Sequence, residues 1–195
     1  MPPVLDPFLS AGLAVLWLLL PAYIANAFAT LPRGRGPPMD LGRTWSRDGR
    51  RILGPSKTWA GFLFAGFAAL PFGLLEAWLI LLAPPSLQLV PVLAPTVLAA
   101  VPVAAILTFG AMTGDALGSF IKRRLDRPSG SRTFLLDQMP FVLVPIAVGL
   151  VFYEPLFWGV FASVYAIVWL LVYTLGLHAV FNWVGYKAGL KKVPW

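Results

Sequence analysis

Two aspartates in the second half of the chain have the chemistry and spacing of a metal site. Asp115 closes one long apolar run, Asp137 lies just inside the next, and five basic residues separate them. Ionisable side chains at the edge of hydrocarbon are costly, so they usually mark a functional site. Mg²⁺ prefers oxygen ligands and is commonly held by one or two carboxylates together with substrate phosphates. The pattern therefore predicts a Mg²⁺-dependent phosphate site with Asp115 and Asp137 as the metal ligands.

Asp115 is predicted to share one helical face with a hydroxyl and a cation. Ser119 and Lys122 follow it at spacings of four and seven residues, which places all three on one stripe, and Arg123 is adjacent. The stripe offers a metal ligand, a hydroxyl and a phosphate-binding cation in order. The alternative is an Asp–Ser–Lys ladder within the helix at a bundle seam.

Asp137 also has a structural alternative. The hairpin between the two apolar runs brings it level with Asp115, but it could form a salt bridge with Arg123 or Arg132. Asp137 can be both a metal ligand and a salt-bridge partner if the salt bridge forms when no metal is bound.

A second candidate phosphate-binding element leads directly into an apolar run. The sequence Gly54-Pro55-Ser56-Lys57-Thr58 precedes that run. Thr58 or Ser56 can cap a helix there, which leaves amides and the positive end of the helix dipole directed at an anion. Lys57 adds a point charge. The glycine spacing and preceding strand of a true P-loop are absent, so the element resembles one only loosely.

Four further polar residues leave two interpretations open. Arg50 and Arg51 lie upstream of this element, where they can attract anionic lipid head groups or contact a phosphate directly. Asn26 and Asn182 lie near the ends of apolar runs, where an amide can join two helices or line a substrate pocket.

Three titratable residues are interpreted as bystanders. Glu76 is placed about 27 Å along the helix from Thr58, at 1.5 Å per residue, and Glu154 lies in an outer turn. His178 is the only histidine and is expected to be a packing residue. One histidine among these acids excludes a Ser-His-Asp triad and a histidine metal cluster.

The composition is that of an integral membrane protein. The chain is 58% hydrophobic and only 12% charged, whereas soluble domains are about one-quarter charged. It has no cysteine, which excludes disulfides and thiolate metal sites. The net charge of +7 does not indicate nucleic-acid binding, because the basic residues are confined to particular segments between the apolar runs.

Five apolar windows are each long enough to cross a bilayer as a helix of about 20 residues. They predict an all-α integral membrane bundle of five transmembrane helices, forming a single domain over residues 1–195. The first window lacks a basic flank and a cleavage site, so it is not expected to be a cleaved signal peptide. The windows are 8–30, 58–83, 92–120, 134–153 and 156–182.

The positive charges predict the orientation of the bundle. All fifteen basic residues lie in segments 33–57 and 122–132 or in the tail from Lys187, and the other flanks carry none. The positive-inside rule then places the N-terminus outside and the C-terminus in the cytoplasm. The protein is therefore expected in the cell membrane, with functional cytoplasmic loops at 31–57 and 121–134 and an active site facing the cytoplasm.

Two separated motifs resemble one enzyme family. The first is the run 48–54, Asp-Gly-Arg-Arg-Ile-Leu-Gly, followed by Lys-Thr-Trp-Ala-Gly at 57–61. The second is Ser-Phe-Ile-Lys-Arg at 119–123, then a polar loop and Asp137. Together they resemble the CTP-dependent phosphatidate cytidylyltransferases, and most closely their short archaeal branch, the CDP-archaeol synthases. The resemblance covers essentially the whole chain.

The chain departs from the bacterial members of that family at two points. They carry His-Gly-Gly before the aspartate, where this chain has Thr-Phe-Leu-Leu at 133–136, and a second aspartate where Pro140 stands. Asp137 is thus the sole acid of its motif.

The resemblance implies a reaction and its participants. CTP and a lipid phosphate give a CDP-lipid and pyrophosphate, with Mg²⁺ as cofactor. The archaeal branch implies an isoprenoid ether lipid, 2,3-di-O-geranylgeranyl-sn-glycerol 1-phosphate. The expected partners are CTP, this lipid and the bilayer, with no nucleic acid. The expected catalytic residues are Asp115, Asp137 and Lys122, and the expected substrate-binding residues are Asn26, Gly54, Ser56, Lys57, Thr58, Ser119, Arg123 and Arg132.

Two other functions stay open at this point. A CTP-dependent polyprenol kinase-like enzyme would share the nucleotide and the metal but move a γ-phosphoryl group to an alcohol. A non-enzymatic transporter of anions or lipids would form no pyrophosphate, although an odd number of spans disfavours the inverted repeats of many transporters.

Overall fold

The computed structural model describes residues 6–84, 88–129 and 131–190. Within those residues the chain forms six α-helices and, apart from two isolated bridge pairs in the first long loop, no β-structure. A short 3-10 turn, Leu98–Ala100, leads into the third helix. The helices are α1 (Pro7–Phe28), α2 (Trp59–Leu82), α3 (Val101–Arg124), α4 (Pro140–Phe152), α5 (Glu154–Phe161) and α6 (Val164–Lys187). Of the predicted basic tail, Lys187 ends α6, and Lys191 and Lys192 lie outside the described residues.

The prediction of an all-helical membrane protein is confirmed. Four helical segments in the described part of the chain are long and apolar enough to cross a bilayer, namely α1, α2, Leu98–Arg124 and α6. Large apolar side chains such as Phe67 and Trp78 on α2 and Trp183 on α6 are exposed on the outside of the bundle. A helix that stays apolar on its exposed side requires lipid rather than water around it. The chain is a multi-pass membrane protein.

The fourth apolar window folds differently from the prediction of a span over 134–153. Residues 134–139 form turns, with Leu135 in the left-handed region at φ 69°, and α4 starts only at Pro140. Proline suits the first helical turn but not a helix interior, since it lacks the amide hydrogen. Asp137 therefore lies in the turn before α4 and not inside the helix. The 13 residues of α4 reach about 20 Å, less than the hydrocarbon thickness of a bilayer.

The fifth window, 156–182, was predicted as one helix but contains two. The short α5 folds back on α4, where the ring of Phe157 fills the space that a side chain at Gly149 would occupy. Ser163 then caps a new helix, its Oγ accepting a hydrogen bond of 3.2 Å from the amide of Tyr165. The last long helix consequently begins at Val164 and continues beyond the predicted end to Lys187.

A glycine stripe on α3 brings the turn before α4 against that helix. Gly110, Gly114 and Gly118 recur every four residues on one face, the small-residue pattern that lets membrane helices approach closely. A Cβ at Gly114 would overlap the carbonyl oxygen of Pro140, and one at Gly118 would lie 2.7 Å from that of Leu136. The stripe thereby holds the turn containing Asp137 next to the segment of α3 that contains Asp115.

A buried carboxylate organises the loop between α1 and α2. Asp40 receives two hydrogen bonds of 3.0 Å from Arg51, two of 3.0 Å from the amides of Leu53 and Gly54, and one of 3.1 Å from Gly42. Burial by itself would raise the pKa of Asp40, but these five donors outweigh it and hold the pKa well below its usual range. The loop is a structured element rather than a connector.

The same loop is fastened to the C-terminal end of α3. Arg124 donates to Asp48 at 2.8 Å and to the carbonyl oxygen of Arg51 at 2.7 Å, and it lies over the ring of Phe120. Arg50 donates in return to the carbonyl oxygen of Arg124 at 3.0 Å. Arg50 and Arg51, for which lipid and phosphate contacts were the two sequence-based interpretations, thus both have partners within the protein.

Candidate active site

A cavity of about 670 Å³ opens at the end of the bundle where α1 and α6 end and α2 begins. This volume falls within the range of about 300–1,000 Å³ typical of small-molecule sites. Five charged side chains line it, and apart from Arg33 they come from three separate segments: Lys57, Asp115, Lys122 and Asp137. Both aspartates that the sequence singled out therefore face one cavity.

The four charges form two acid–lysine pairs. Lys57 Nζ lies 2.5 Å from Asp115 Oδ2, and Lys122 Nζ lies 2.5 Å from Asp137 Oδ1. Asp115 thus pairs with the lysine before α2 and not with Lys122, so the alternative interpretation of an Asp–Ser–Lys ladder within α3 is wrong. Asp137 pairs with Lys122 rather than with Arg123 or Arg132, the partners proposed from the sequence. Its second oxygen accepts a 2.7 Å hydrogen bond from the amide of Thr133, which fixes the turn.

The segment before α2 presents its lysine and hydroxyls to the cavity. Thr58 caps the helix, its Oγ1 accepting a hydrogen bond of 3.1 Å from the amide of Gly61, as the sequence predicted for Thr58 or Ser56. The amide of Met39 donates to the carbonyl oxygen of Lys57 at 2.8 Å. This main-chain bond holds the lysine in place at the positive end of the helix dipole.

The predicted binding residues divide into three groups. Those that line the main cavity are Asn26, Ser56, Lys57 and Thr58. Arg132 lines a smaller cavity of about 220 Å³ that also contains Asp137.

Three predicted residues, Gly54, Ser119 and Arg123, lie outside the described lining of both cavities. The amide of Gly54 donates a hydrogen bond to Asp40, and the guanidinium of Arg123 donates one of 3.1 Å to the carbonyl oxygen of Pro128. Ser119 is buried.

The cavity also contains residues that were not among the predicted binding residues. His178, expected to be a packing residue, lines both cavities together with Asn182, and their side chains lie 3.0 Å apart. Their spacing of four residues on one helix was the available signal. Arg33 and Ser131 line the main cavity as well, without a motif that would have identified them. Glu76, in contrast, is buried in α2 and lines neither cavity.

The donor set fits a divalent cation of the magnesium type. The described residues contain no cluster of three or more histidine, cysteine, aspartate or glutamate side chains, so an all-protein metal cage is not built there. Two carboxylates on one open cavity match the mode in which Mg²⁺ is shared between protein and substrate phosphates. Asp115 and Asp137 are the residues that would hold such an ion.

Fold and site together define a multi-pass membrane protein with paired acids and lysines in a cavity at one end of its helices. A solved structure described as "Structural insight into an intramembrane enzyme for archaeal membrane lipids biosynthesis" is 33% identical, with a TM-score of 0.59 over 83% of this chain and 90% of that one. The family model for CarS-like CDP-archaeol synthases matches residues 8–195. The chain belongs to the CDP-archaeol synthase family, as the sequence motifs predicted.

Individual relatives align with this chain over nearly their whole length. The CDP-archaeol synthase of Thermococcus gammatolerans is 40% identical over 187 residues, which are 96% of this chain and 98% of that protein. The CDP-archaeol synthase of Archaeoglobus fulgidus is 40% identical over 190 residues, 94% of this chain and 97% of that protein. Enzymes of this family are CTP-dependent cytidylyltransferases, and the chain is accordingly a nucleotidyltransferase.

Proposed function

We propose that the chain transfers the cytidylyl group of CTP to the phosphate of an isoprenoid ether lipid, with Mg²⁺ as the metal. The products are a CDP-archaeol-type lipid and pyrophosphate. The observation that carries this proposal is the pair of acid–lysine contacts on one cavity, Lys57 with Asp115 and Lys122 with Asp137. Family membership supports the reaction, because the relatives are CDP-archaeol synthases.

The reaction needs alignment and charge neutralisation more than proton transfer. An oxygen of the lipid phosphate attacks the α-phosphorus of CTP, a new P–O–P bond forms, and the bond between the α- and β-phosphates breaks to release pyrophosphate. The attacking oxygen is already anionic, so no general base is required. Phosphoryl-transfer catalysis rests mainly on positioning and electrostatic stabilisation.

The cavity residues have distinct proposed roles in that step. Lys57, with the α2 dipole behind it, holds nucleotide phosphates, and Lys122 neutralises charge beside Asp137. Asp115 and Asp137 hold the metal, which, when bound, withdraws charge from the phosphates. The two lysines pair with the two carboxylates, and a cation held by the carboxylates would leave the lysines available to phosphates.

The proposed membrane topology has five crossings, formed by α1, α2, α3, α6 and the short α4 together with the turn before it, with α5 on the outer side. The clustering of basic residues in segments 33–57 and 122–132 supports an outside N-terminus, a cytoplasmic C-terminus and a site facing the cytoplasm. In this arrangement residues 31–57 and the α3–α4 connection are the functional cytoplasmic segments of one domain in the cell membrane. Lipid tails would enter through a lateral opening between helices.

Product analysis tests the proposal. Purified protein would be incubated with CTP labelled in the cytosine ring, Mg²⁺ and the geranylgeranylated glycerol phosphate, and the products identified by mass spectrometry. We expect label in the lipid and one pyrophosphate released per lipid formed. In a parallel incubation with a polyprenol as the acceptor, label remaining in CDP together with a newly phosphorylated polyprenol would support the kinase instead. Transport without pyrophosphate would support the non-enzymatic function.

A further inference from the structure

The smaller cavity adjoins the main one at the position of the paired acids. Its volume is about 220 Å³, and its lining includes Arg132, Gln138 and, shared with the main cavity, Asp137, His178 and Asn182. Because three residues line both spaces, a molecule in one cavity is adjacent to a molecule in the other. Two reacting phosphates held in the two cavities would meet beside Asp137.

The smaller cavity lies on the side of the bundle where helices are not packed together. In the described part of the chain, α6 packs along α1 and touches α5, but it has no extended contact with α4. The cavity occupies this gap, between α6 and the turn before α4. Only 17% of the most apolar stretch of α6 is buried, so the helix borders lipid. A molecule entering sideways from the membrane through this gap would meet the lining of the smaller cavity.

The lining has the chemistry of a small anion site with an apolar flank. Arg132 supplies a guanidinium and His178 an imidazole, and the ring of Phe134 is exposed beside them. Gln138 is only 9% exposed, and its side-chain oxygen has no hydrogen-bond partner in the described residues. A buried amide normally has partners. Gln138 lines the smaller cavity, and the NH₂ group of its amide is a hydrogen-bond donor for an anion there.

The two cavities differ in volume, and each volume suits a different substrate. A space of about 220 Å³ is below the range of about 300–1,000 Å³ for whole small-molecule ligands, so it suits a head group rather than a nucleoside triphosphate. The main cavity, at about 670 Å³, is within that range and carries Lys57 and Lys122. The smaller cavity, at the lipid-facing gap, has the size for one phosphate and the start of a glycerol unit.

We propose that the smaller cavity is the subsite for the lipid phosphate, with Arg132, His178 and Gln138 as its binding residues, while CTP occupies the main cavity. This inference rests on the proposed function and adds a division of the site between its two substrates. In this division His178, the only histidine of the chain, helps to recognise the lipid phosphate.

Steady-state kinetics on the full-length protein test this division. Arg132→Gln, His178→Ala and Gln138→Leu are expected to raise the KM for the lipid phosphate about tenfold or more, the loss for one charged hydrogen bond. The KM for CTP, and CTP affinity measured without lipid, should change less than about twofold, since these contacts are not made by the nucleotide. Arg132→Lys should recover part of the loss because it keeps the charge.

Matched controls lie on the same two segments. Arg127→Gln removes an exposed arginine from the α3–α4 connection, and Val180→Ala changes an exposed residue two positions after His178 on α6. Neither residue lines the main or the smaller cavity, so both variants should keep both KM values. Size-exclusion profiles identify any variant that misfolds. Because Arg132 is exposed, its substitution is the one that should disturb folding least.

Each contrary result has its own meaning. A raised KM for CTP with an unchanged KM for lipid would assign the smaller cavity to the nucleotide and overturn the inference. Altered inhibition by pyrophosphate alone would make it a leaving-group site, and no change in any constant would remove it from the active site. If the wild type formed no CDP-lipid, the proposed function would fail. Binding of a short-chain lipid phosphate to wild type and Arg132→Gln would then still decide the subsite.

Discussion

Lys57 Nζ and Asp115 Oδ2 lie 2.5 Å apart although 58 residues separate them in the chain. The contact joins the start of α2 to the second half of α3. Lys122 and Asp137 form a similar contact between α3 and the turn before α4. Each carboxylate thus has a lysine as its partner, and a metal ion can replace that lysine. The cavity is therefore suitable for a metal–nucleotide complex, because the carboxylates can bind the metal while the lysines bind the phosphates.

Removing either carboxylate should abolish the reaction. Asp115→Asn and Asp137→Asn keep the side-chain shape but lose a charged metal ligand, so we expect CDP-lipid formation to fall by more than about 100-fold at any Mg²⁺ concentration. Formation of labelled CDP-lipid across a Mg²⁺ titration measures this effect. Glu76→Gln is the matched control, because Glu76 is buried outside both cavities and its variant should turn over at the wild-type rate. Robust activity in either aspartate variant would remove that residue from the metal site.

Lys57 should act mainly on nucleotide binding. Lys57→Ala removes one charge-assisted contact to a phosphate, and we expect the CTP dissociation constant to rise about tenfold. Isothermal titration calorimetry in the presence of Mg²⁺ measures that constant directly. Lys187→Ala, at the exposed end of α6, is the lysine control and should bind CTP like the wild type. Unchanged affinity in Lys57→Ala would contradict a phosphate site at the start of α2.

Gly114 should be intolerant of any side chain. An added Cβ would overlap the carbonyl oxygen of Pro140, so Gly114→Ala must shift the start of α4 at a cost of about 1–3 kcal/mol. We expect a lower melting temperature together with reduced turnover, because the turn that carries Asp137 moves with α4. Gly176→Ala is the control, since no atom lies near its Cβ position. Equal melting temperatures and rates for Gly114→Ala and the wild type would show that α3 and α4 do not approach in this way.

Asp40 should determine the stability of the loop before α2. Asp40→Asn removes the charge that pairs with Arg51, and we expect faster hydrogen exchange at the amides of Gly42, Leu53 and Gly54, by about tenfold or more. Asp126→Asn, which affects only a solvent-exposed ion pair, should leave those amides unchanged.

The pH dependence of this loop follows from the depressed pKa of Asp40. A lowered folded-state pKa gives stability that is fully present above the unfolded value of about 3.9 and is lost as the pH falls through the folded-state pKa. Protection contributed by Asp40 should therefore not vary between about pH 5 and 8, and should disappear only in stronger acid. Loss of that protection near pH 6 would mean that another group controls the loop.

The sequence alone determined the features that depend on local composition. The apolar windows predicted α1 and α2 to within two residues at each end, because a span needs only a continuous run of about 20 apolar residues. The third window, 92–120, overlaps α3 but starts nine residues before it. Thr58 was identifiable as a cap from its position before such a run, and the motifs around Lys57 and Asp137 identified the family. Asp115 and Asp137 were recognisable because acids at the edge of apolar runs are rare.

The tertiary structure decided which side chains meet. The start of α4 at Pro140 depends on contacts with the glycines of α3, and the division of the last window depends on Phe157 folding onto Gly149. The pairing of Asp115 with Lys57, the burial of Asp40 and the place of His178 on a cavity wall all join distant segments. Hydropathy and spacing report each residue's preference for lipid or water. They carry no information about its neighbour across the bundle, because that neighbour is set by how closely the helices can pack.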